Sequence, residues 1–338
     1  MRALELQDWS ADAIRLVERP RPRPARGQVL LRMQAASLNY RDSVLVARGY
    51  GRKSGELPII PVSDGAGTVV ELGAGVTSLS EGDLVTPLFC QTWLDGPFRD
   101  DLWKGMLGGM LDGVLQDYMV LPEEGVVRAP GHFDARQAAT LPCAALTAWN
   151  AVVVQGEVGP GDCVVVQGTG GVSLFALQFA KLRGARVILT SSSDEKLAKA
   201  AALGADHPIN YLEQPEWSRA VRELTEGHGT SHVIEVGGAG TLEQSVRAVR
   251  NGGRLCLIGV LSGRRPSLDL GQVATRNLRL QGITVGSRRM HEDMVQAMET
   301  HAIVPVIDER VVAFEEVGAA IGRFPQGGHF GKVCVAFD

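Results

Sequence analysis

A glycine-rich stretch follows a short run of β-branched residues near the middle of the chain. Val164, Val165 and Val166 form an apolar run typical of a buried strand, and the sequence then reads Q-G-T-G-G-V-S to Ser173. A helix-compatible segment continues to about Arg183. Glycines at such a turn let a pyrophosphate reach the backbone N–H groups at a helix N-terminus, where the helix dipole is positive. The last position departs from the G-x-G-x-x-G pattern, because Ser173 replaces the glycine that allows close packing of helix and strand.

The turn is therefore a candidate phosphate-binding loop. The residues predicted to contact a dinucleotide there are Gly168, Thr169, Gly170, Gly171 and Val172. Glycines are also common at strand-to-helix turns for steric reasons alone, so the prediction depends on the pattern of the next hundred or so residues.

Strand and helix patterns alternate after this turn. Strands are predicted at 187–190, 208–210, 232–236, 254–258 and 278–285, and helices at 194–203, 217–225 and 242–249. This alternation predicts an α/β fold with a doubly wound, six-stranded parallel sheet covered by helices on both faces. Ligands bind at the carboxyl ends of the strands in such sheets, which makes Gly237, Gly259 and Val260 further candidate coenzyme contacts. These glycines also suit ordinary turns.

The end of the second strand indicates which dinucleotide is bound. Sites for NAD carry an acidic residue about 20 positions beyond the glycines, whereas a 2′-phosphate requires a cation and no acid there. Here Ser191 and Ser192 occupy that position, and Lys196 supplies a positive charge. Asp194 and Glu195 come directly afterwards, but carboxylates also suit the first turn of a helix. The pattern favours NADP over NAD.

The composition excludes several other classes of protein. A length of 338 residues predicts two domains, and the net charge of −4 offers no basic excess for a nucleic acid or an anionic membrane. The five cysteines are scattered and never spaced as C-x-x-C, which indicates a reducing compartment rather than a disulfide framework. No apolar run reaches the roughly 18 residues of a membrane span. We expect a cytoplasmic protein without a nucleic-acid or membrane partner.

The N-terminal third has a different pattern. Residues 1–9 and 27–36 alternate apolar and polar side chains as half-buried strands do, with glycine-rich turns after them. A compact, partly open barrel fits this pattern. Residues 88–121 interleave large apolar side chains such as Trp93 and Trp103 with glycines. Two interpretations stay open for this loop: it covers the edge of a core, or it lines an apolar substrate cleft.

Short motifs elsewhere in the chain carry a family resemblance. They are Asn39-Tyr40-Arg41-Asp42, Asp64-Gly65-Ala66-Gly67, Leu141-Pro142-Cys143-Ala144, Thr147-Ala148-Trp149, Ser193-Asp194-Glu195-Lys196-Leu197 and Gly331-Lys332-Val333. Together with the glycine turn they resemble the medium-chain dehydrogenase/reductase superfamily over essentially the whole length. The resemblance implies a GroES-like (chaperonin-10-like) catalytic domain over residues 1–144 and 286–338, and a Rossmann domain over residues 145–285. It also implies coenzyme contacts from Thr147 and Lys332, and a homodimer joined through the strand at 278–285.

Zinc-dependent members of that superfamily bind a catalytic metal through cysteine, histidine and a second cysteine or acid. The resemblance matches those positions to Asn39, Ser63 and Cys143, with Asp64 beside them. A catalytic zinc needs three protein ligands, and Asn39 and Ser63 are poor substitutes. The lobe that holds a structural zinc in those relatives contains only Cys90 here. We therefore expect no zinc, as in the quinone oxidoreductase and enone reductase branches.

The candidate catalytic residues lie where the resemblance implies that the zinc site was. Asn39 is a candidate amide donor, and Tyr40, Arg41 and Tyr50 are candidate donors or proton sources. Asp42 completes the set, although Arg41 and Asp42 could equally form a structural pair. Reduction of a simple ketone without a metal leaves an alkoxide that hydrogen bonds must stabilise alone, whereas an α,β-unsaturated carbonyl or quinone delocalises the charge into an enolate.

The expected function is NADPH-dependent hydride transfer to a quinone or an α,β-unsaturated carbonyl without a catalytic metal. One alternative is an alcohol or aldehyde dehydrogenase of the zinc type. Another is a weakly catalytic, crystallin-like protein that binds NADPH. The expected partner is a small apolar carbonyl compound or quinone.

Overall fold

The computed structural model describes residues 1–337, and within them the chain forms two compact units. Unit 1 contains residues 1–146 together with the segment that begins at Gly286. Unit 2 contains Thr147–Val285. No helix in the described part of the chain is both long and apolar enough to cross a bilayer.

The N-terminal part of unit 1 is mostly β-structure. Its strands are β1 (Arg2–Leu6), β2 (Ile14–Glu18), β3 (Gln28–Ser37), β4 (Asp64–Leu72), β5 (Leu84–Pro87), β6 (Tyr118–Pro122) and β7 (Val126–Arg128). Two short α-helices accompany them, α1 (Tyr40–Val46) and α2 (Ala135–Ala139). The predicted alternation is clearest in β3, where Leu31, Met33 and Ala35 are buried and Arg32 and Gln34 are exposed. One face of this strand therefore packs into the core.

A helical segment leads from α2 towards the glycine turn. The sequence predicts one helix over 138–154, but the structure has α3 (Leu146–Trp149) between two π-helical stretches, Leu141–Ala145 and Asn150–Val154. Pro142 lies in the first stretch and has no backbone N–H to donate, so it cannot take part in a regular helical ladder. The segment is therefore helical, as predicted, but most of it is π-helical rather than α-helical. Such π-turns are frequent at functional sites.

Unit 2 is the predicted parallel sheet with helices on both faces. Its strands are β8 (Cys163–Gln167), β9 (Arg186–Ser191), β10 (His207–Asn210), β11 (Thr230–Glu235), β12 (Val249–Leu257) and β13 (Arg279–Gly282). Its helices are α4 (Gly171–Leu182), α5 (Asp194–Ala202), α6 (Trp217–Leu224), α7 (Leu242–Ala248) and α8 (Leu270–Thr275). The strand order is β10-β9-β8-β11-β12-β13, and every pair is parallel. This confirms the six-stranded doubly wound prediction and places the switch in strand order between β8 and β11.

The C-terminal segment belongs to unit 1. It contains α9 (Arg288–Thr300), β14 (Ile307–Ala313), α10 (Val317–Arg323) and β15 (Lys332–Ala336). In the large sheet of unit 1 the strands run β14-β15-β3-β4-β5-β7, with β6 also paired to β3. Strand β15 is antiparallel to β3, and Cys334 lies opposite Ser37. The sheet therefore brings residues near 38 and 332 together.

The glycine-rich loop between β5 and β6 packs largely on unit 1. Trp93 and Met106 are buried. The ring centroid of Phe98 lies 5.0 Å from that of Trp93 and 5.4 Å from that of Trp103, and both pairs are edge-to-face. Lys53 Nζ lies 3.9 Å from the Trp103 ring centroid. Leu107, Val114 and Leu115 of this loop belong to the hydrophobic core of unit 1, which supports the interpretation in which the loop covers the core.

Candidate active site

The glycine turn lies between β8 and α4. Gly168 has a φ of +75°, in the left-handed region that side chains disfavour, and its N–H donates to the Thr190 carbonyl at 2.7 Å. The Ser173 hydroxyl is buried and donates to the Gln167 carbonyl at 2.7 Å, so this serine fastens the helix to the end of the strand. In residues 1–337 no side chain caps the first turn of α4, which leaves its N–H groups directed beyond the helix end. The turn has the form that a pyrophosphate requires.

The serines at the end of β9 and the two acids that follow them differ in burial and in hydrogen-bond partners. Ser191 is buried, Ser192 is exposed, and the Ser193 side chain caps α5. Asp194 accepts a hydrogen bond from Asn210 Nδ2 at 2.7 Å. Glu195 pairs with Lys199 at 2.7 Å, and this hydrogen bond lowers the pKa of the Glu195 carboxyl. Both carboxylates therefore have partners within unit 2.

The loop after β11 is tied to a buried carboxylate, and it lies beside the loop after β12. Glu235 is fully buried and accepts hydrogen bonds from Gln167 Nε2 at 2.8 Å, the N–H groups of Gly237 and Gly238 at 2.8 and 2.9 Å, and the Thr241 hydroxyl at 2.6 Å. The Ser245 hydroxyl donates to it as well.

The two loops are also linked to each other. The Ser262 hydroxyl donates to the Gly237 carbonyl at 2.7 Å, and Gly259 and Val260 begin the second loop. Sequence reasoning missed Glu235, although a charged residue that ends an apolar strand just before two glycines was the available signal.

A second group of polar side chains lies in unit 1, and we call Asn39, Ser63, Asp64, Cys143 and Lys332 the polar cluster. The Lys332 ammonium donates to Asn39 Oδ1 at 2.6 Å and to the Leu38 carbonyl at 2.8 Å, and it lies 3.8 Å from Asp64 Oδ2. Asp64 accepts from the Ser63 hydroxyl at 2.7 Å and from the Cys143 N–H at 3.1 Å. The positions matched by resemblance to zinc ligands therefore lie together in the fold.

These side chains do not form a zinc site. Among residues 1–337, no three His, Cys, Asp or Glu side chains are placed to hold one metal ion. Burial, aided by the Asp64 carboxylate, raises the pKa of the Cys143 thiol to about 12. Asn39 and Ser63, which occupy two of the three matched ligand positions, offer a neutral amide and a hydroxyl instead of a thiolate or an imidazole. The ammonium of Lys332 already neutralises Asp64. The donor set of the polar cluster does not fit zinc.

Asn39 contributes an unusual donor to the polar cluster. Its Nδ2 exposes less than 1 Å² and has no hydrogen-bond partner among the described residues. Leaving a buried amide donor unpaired costs about 1–3 kcal/mol, so such a group calls for an explanation.

The neighbouring candidates lie on or near α1. Asp42 is buried and accepts the Asn39 N–H at 2.8 Å, while Arg41 lies 3.5 Å from its other carboxylate oxygen. Burial raises the pKa of the Asp42 carboxyl to about 6, against the opposing effect of the Arg41 guanidinium. Arg41 also lies 4.6 Å from the Phe89 ring centroid. Arg41 and Asp42 therefore form the structural pair that the sequence left open.

The remaining candidates are less closely connected to the polar cluster. Tyr40 is the first residue of α1, and its carbonyl accepts from the Ser43 hydroxyl at 2.7 Å. Tyr50 precedes the short helix Gly51–Ser54 and is 37% exposed. Thr147 is buried in α3.

Both units match known protein families. Residues 25–131 match the alcohol dehydrogenase GroES-like domain, and residues 171–300 match the zinc-binding dehydrogenase domain. A zinc-type alcohol dehydrogenase-like protein of Schizosaccharomyces pombe is 44% identical over 92% of this chain and 91% of its own. The acryloyl-coenzyme A reductase of Sulfurisphaera tokodaii is 27% identical over 95% of this chain and 96% of its own.

Solved structures give the same result. A structure of an NAD-dependent alcohol dehydrogenase superposes with a TM-score of 0.90 at 33% identity and covers 100% of both chains. The chain belongs to the medium-chain dehydrogenase/reductase superfamily, with a GroES-like domain and a Rossmann domain. Within it, this is an alcohol dehydrogenase-like, NAD(P)-dependent oxidoreductase.

Proposed function

We propose that the protein is an NADPH-dependent reductase of α,β-unsaturated carbonyl compounds or quinones that works without a catalytic metal. The observation that carries this proposal is the composition of the polar cluster. It offers no metal donor set, but it presents a buried, unpartnered amide donor at Asn39 beside the Lys332 ammonium.

The chemistry depends on what such a cluster can stabilise. NADPH, when bound, would supply a hydride; its addition to the β-carbon of an enone shifts the electrons of the carbon–carbon double bond towards the carbonyl and leaves an enolate, with negative charge on the former carbonyl oxygen. Asn39 Nδ2 donates a hydrogen bond to that oxygen. The negative charge of an enolate is more delocalised than that of an alkoxide, so fewer donors are needed to stabilise it. A proton from water or from a tyrosine such as Tyr40 or Tyr50 completes the reduction. Because Nδ2 is covered by its surroundings, neighbouring side chains shift as substrate binds.

The choice of NADPH is supported by the end of β9. Asp194 and Glu195 are the only acids in the segment 191–196, and both are engaged, with Asn210 and Lys199. We therefore assign contact with the 2′-phosphate to the hydroxyls of Ser191 and Ser192 and to the ammonium of Lys196.

One relative supports the choice of an activated alkene. Acryloyl-coenzyme A is an alkene conjugated to a thioester carbonyl, and the reductase named for it matches nearly the whole chain. Other relatives are named alcohol dehydrogenases, so alcohol oxidation is the second candidate function.

A substrate screen separates the candidates. Purified protein is tested with NADPH and NADH against small enones, quinones and aldehydes, and with NADP⁺ and NAD⁺ against alcohols, before and after treatment with a chelator. We expect NADPH-dependent reduction of an enone or quinone that the chelator leaves unchanged. Asn39→Ala lowers kcat about 100-fold, the effect of removing one oxyanion donor.

The matched control is Asn251→Ala, which removes an asparagine bonded to Arg276 in unit 2 and leaves kcat unchanged. Chelator-sensitive oxidation of simple alcohols contradicts the proposal and favours the zinc-type alternative. Tight NADPH binding without turnover of any acceptor favours the weakly catalytic alternative.

A further inference from the structure

Lys332 is the centre of the polar cluster. Its side chain is 2% exposed, and the three oxygen atoms around its ammonium belong to Leu38, Asn39 and Asp64. Strand β15 begins at this lysine, and β15 pairs with β3 just before Leu38. The sheet register therefore holds the ammonium against the N-terminus of α1.

Two donors determine which way the Asn39 amide faces: the Lys332 ammonium and, in the capping box of α1, the Asp42 N–H. An ammonium has three donors and no acceptor, so only the oxygen of the amide can face it at 2.6 Å. The opposite orientation would place the two N–H bonds of the amide against the N–H bonds of the ammonium. The chemistry of Lys332 thus settles an assignment that is ambiguous for an isolated asparagine. As a consequence, Nδ2 points away from the lysine and has no partner within residues 1–337.

We infer that Lys332 is a positioning residue that acts on the substrate through Asn39. This inference rests on the proposed function, because the substrate carbonyl oxygen is the acceptor that Nδ2 is left to meet. The ammonium also draws electron density towards Oδ1, and hydrogen bonds in a chain polarise one another, so Nδ2 becomes a stronger donor. A fixed positive charge then assists the enolate through one neutral amide, without contact between the lysine and the substrate.

This role differs from the coenzyme contact that resemblance implies for Lys332. Its hydrogen bonds to Leu38 and Asn39, and its ion pair with Asp64, are made within unit 1. A direct coenzyme contact and an action through Asn39 predict different kinetics, since the first changes the KM for NADPH and the second changes kcat.

The kinetic test is a double-mutant cycle. Lys332→Met is combined with Asp64→Asn so that no buried carboxylate is left without its cation, and Lys332→Arg serves as the conservative variant. We expect kcat of the Lys332→Met, Asp64→Asn protein to fall about tenfold while its KM for NADPH is unchanged. We expect Lys332→Arg to retain most of the wild-type kcat. In an Asn39→Ala background, the same pair of substitutions lowers kcat less than about twofold. The matched control is Lys181→Met, a lysine paired with Asp206 on the surface of unit 2.

Two kinetic results would overturn the inference. One is a rise in the KM for NADPH that accounts for the whole loss, which would assign Lys332 to the coenzyme. The other is an undiminished tenfold loss of kcat in the Asn39→Ala background, since Lys332 would then act independently of the amide.

A second measurement does not depend on activity. The chain has five asparagines, at 39, 150, 210, 251 and 277, so ¹⁵N-asparagine labelling gives a small set of side-chain amide signals. The Asn39 signal is identified by its absence from Asn39→Ala. We expect it to move in the Lys332→Met, Asp64→Asn protein without added coenzyme or substrate, while the other four native signals stay in place, and to keep its position in Asp64→Asn alone. The substitution at position 64 adds one further amide signal to both of these variants, and it is recognised by its absence from the wild type.

The amide signal distinguishes failure of the positioning role from failure of the proposed function. If the protein reduces no enone or quinone, the proposed function fails, but the signal still shows whether Lys332 orients Asn39. An Asn39 signal that is unchanged by the loss of the lysine refutes the positioning role, whatever the substrate.

Discussion

Substitution of the buried aspartate on α1 tests the electrostatics of the site directly. Asp42 has a pKa of 3.8 in an unfolded chain and about 6 in the folded one, because burial disfavours its charge. The charged groups that act on it are Arg41, Asp64 and Lys332. Ionising this carboxyl therefore costs the folded state about 3 kcal/mol.

The sign of the pH dependence is set by the raised pKa. The neutral Asp42 carboxyl makes its full contribution to the free energy of unfolding below the pKa that it has in the unfolded chain. This contribution is lost as the pH rises through the pKa that it has in the folded protein. Between about pH 5 and pH 7.5, Asp42 alone lowers the free energy of unfolding by about 1.4 kcal/mol. Asp42→Asn retains an oxygen that can accept the Asn39 N–H but cannot ionise, so this part of the pH dependence disappears.

Urea unfolding of the two proteins at both pH values measures the effect. The free energy of unfolding of Asp42→Asn, relative to the wild type, should rise by about 1.4 kcal/mol from pH 5 to pH 7.5. Asp101→Asn is the control, because Arg99 lowers the pKa of that exposed carboxyl and any change has the opposite sign. Parallel pH profiles for the wild type and Asp42→Asn would refute the assignment of this pH dependence to Asp42.

Three further predictions concern other buried groups. Burial lowers the pKa of His291 to about 3, so the folded protein loses stability as the pH falls below 6.5. In His291→Gln, the fall in the free energy of unfolding from pH 7 to pH 5, measured with urea, should be smaller by about 2 kcal/mol than in the wild type. Phe179→Ala removes a fully buried ring that lies 5.2 Å from the Trp149 ring, and it should lower the free energy of unfolding by about 3–5 kcal/mol, measured by urea or thermal denaturation. Glu235→Gln places amide N–H bonds against a shell of donors that includes the Gly237 N–H, and it should weaken NADPH binding at least tenfold by fluorescence titration; unchanged affinity would show that this loop does not contact the coenzyme.

The architecture of unit 2 was predictable because its signals are local. Val164, Val165 and Val166 are fully buried, as expected for a strand covered on both faces, and the turn at Gly168 comes directly after the strand. Each further strand and helix of this unit has its own apolar pattern within a few residues. The parallel order is then a consequence of the general rules for such connections.

The arrangement of the polar cluster was less accessible. The resemblance pointed to Asn39, but the partner of its amide is Lys332, which lies 293 residues further along the chain. That contact is created by the register of β15 against β3, which the pattern of either strand alone does not specify. The buried shell around Glu235 is only partly local, since Gly237, Thr241 and Ser245 follow within ten residues but Gln167 comes from another strand.

The helical segment before the glycine turn shows a different limit. Its apolar spacing over 138–154 is helical, and only Pro142 hinted at a break. The pattern reports which side chains are buried, not whether the backbone closes its hydrogen bonds over four residues or five.

The position of β15 between β14 and β3 bears on how the chain matures during synthesis. Every strand of unit 2 lies between residues 163 and 282, so that unit can fold while the ribosome is still translating the remaining codons. The large sheet of unit 1 is complete only when residues 332–336 have been synthesised, because they form the strand between β14 and β3. The inserted domain can thus fold before its host, and the lysine that orients Asn39 is synthesised with the strand that completes the sheet.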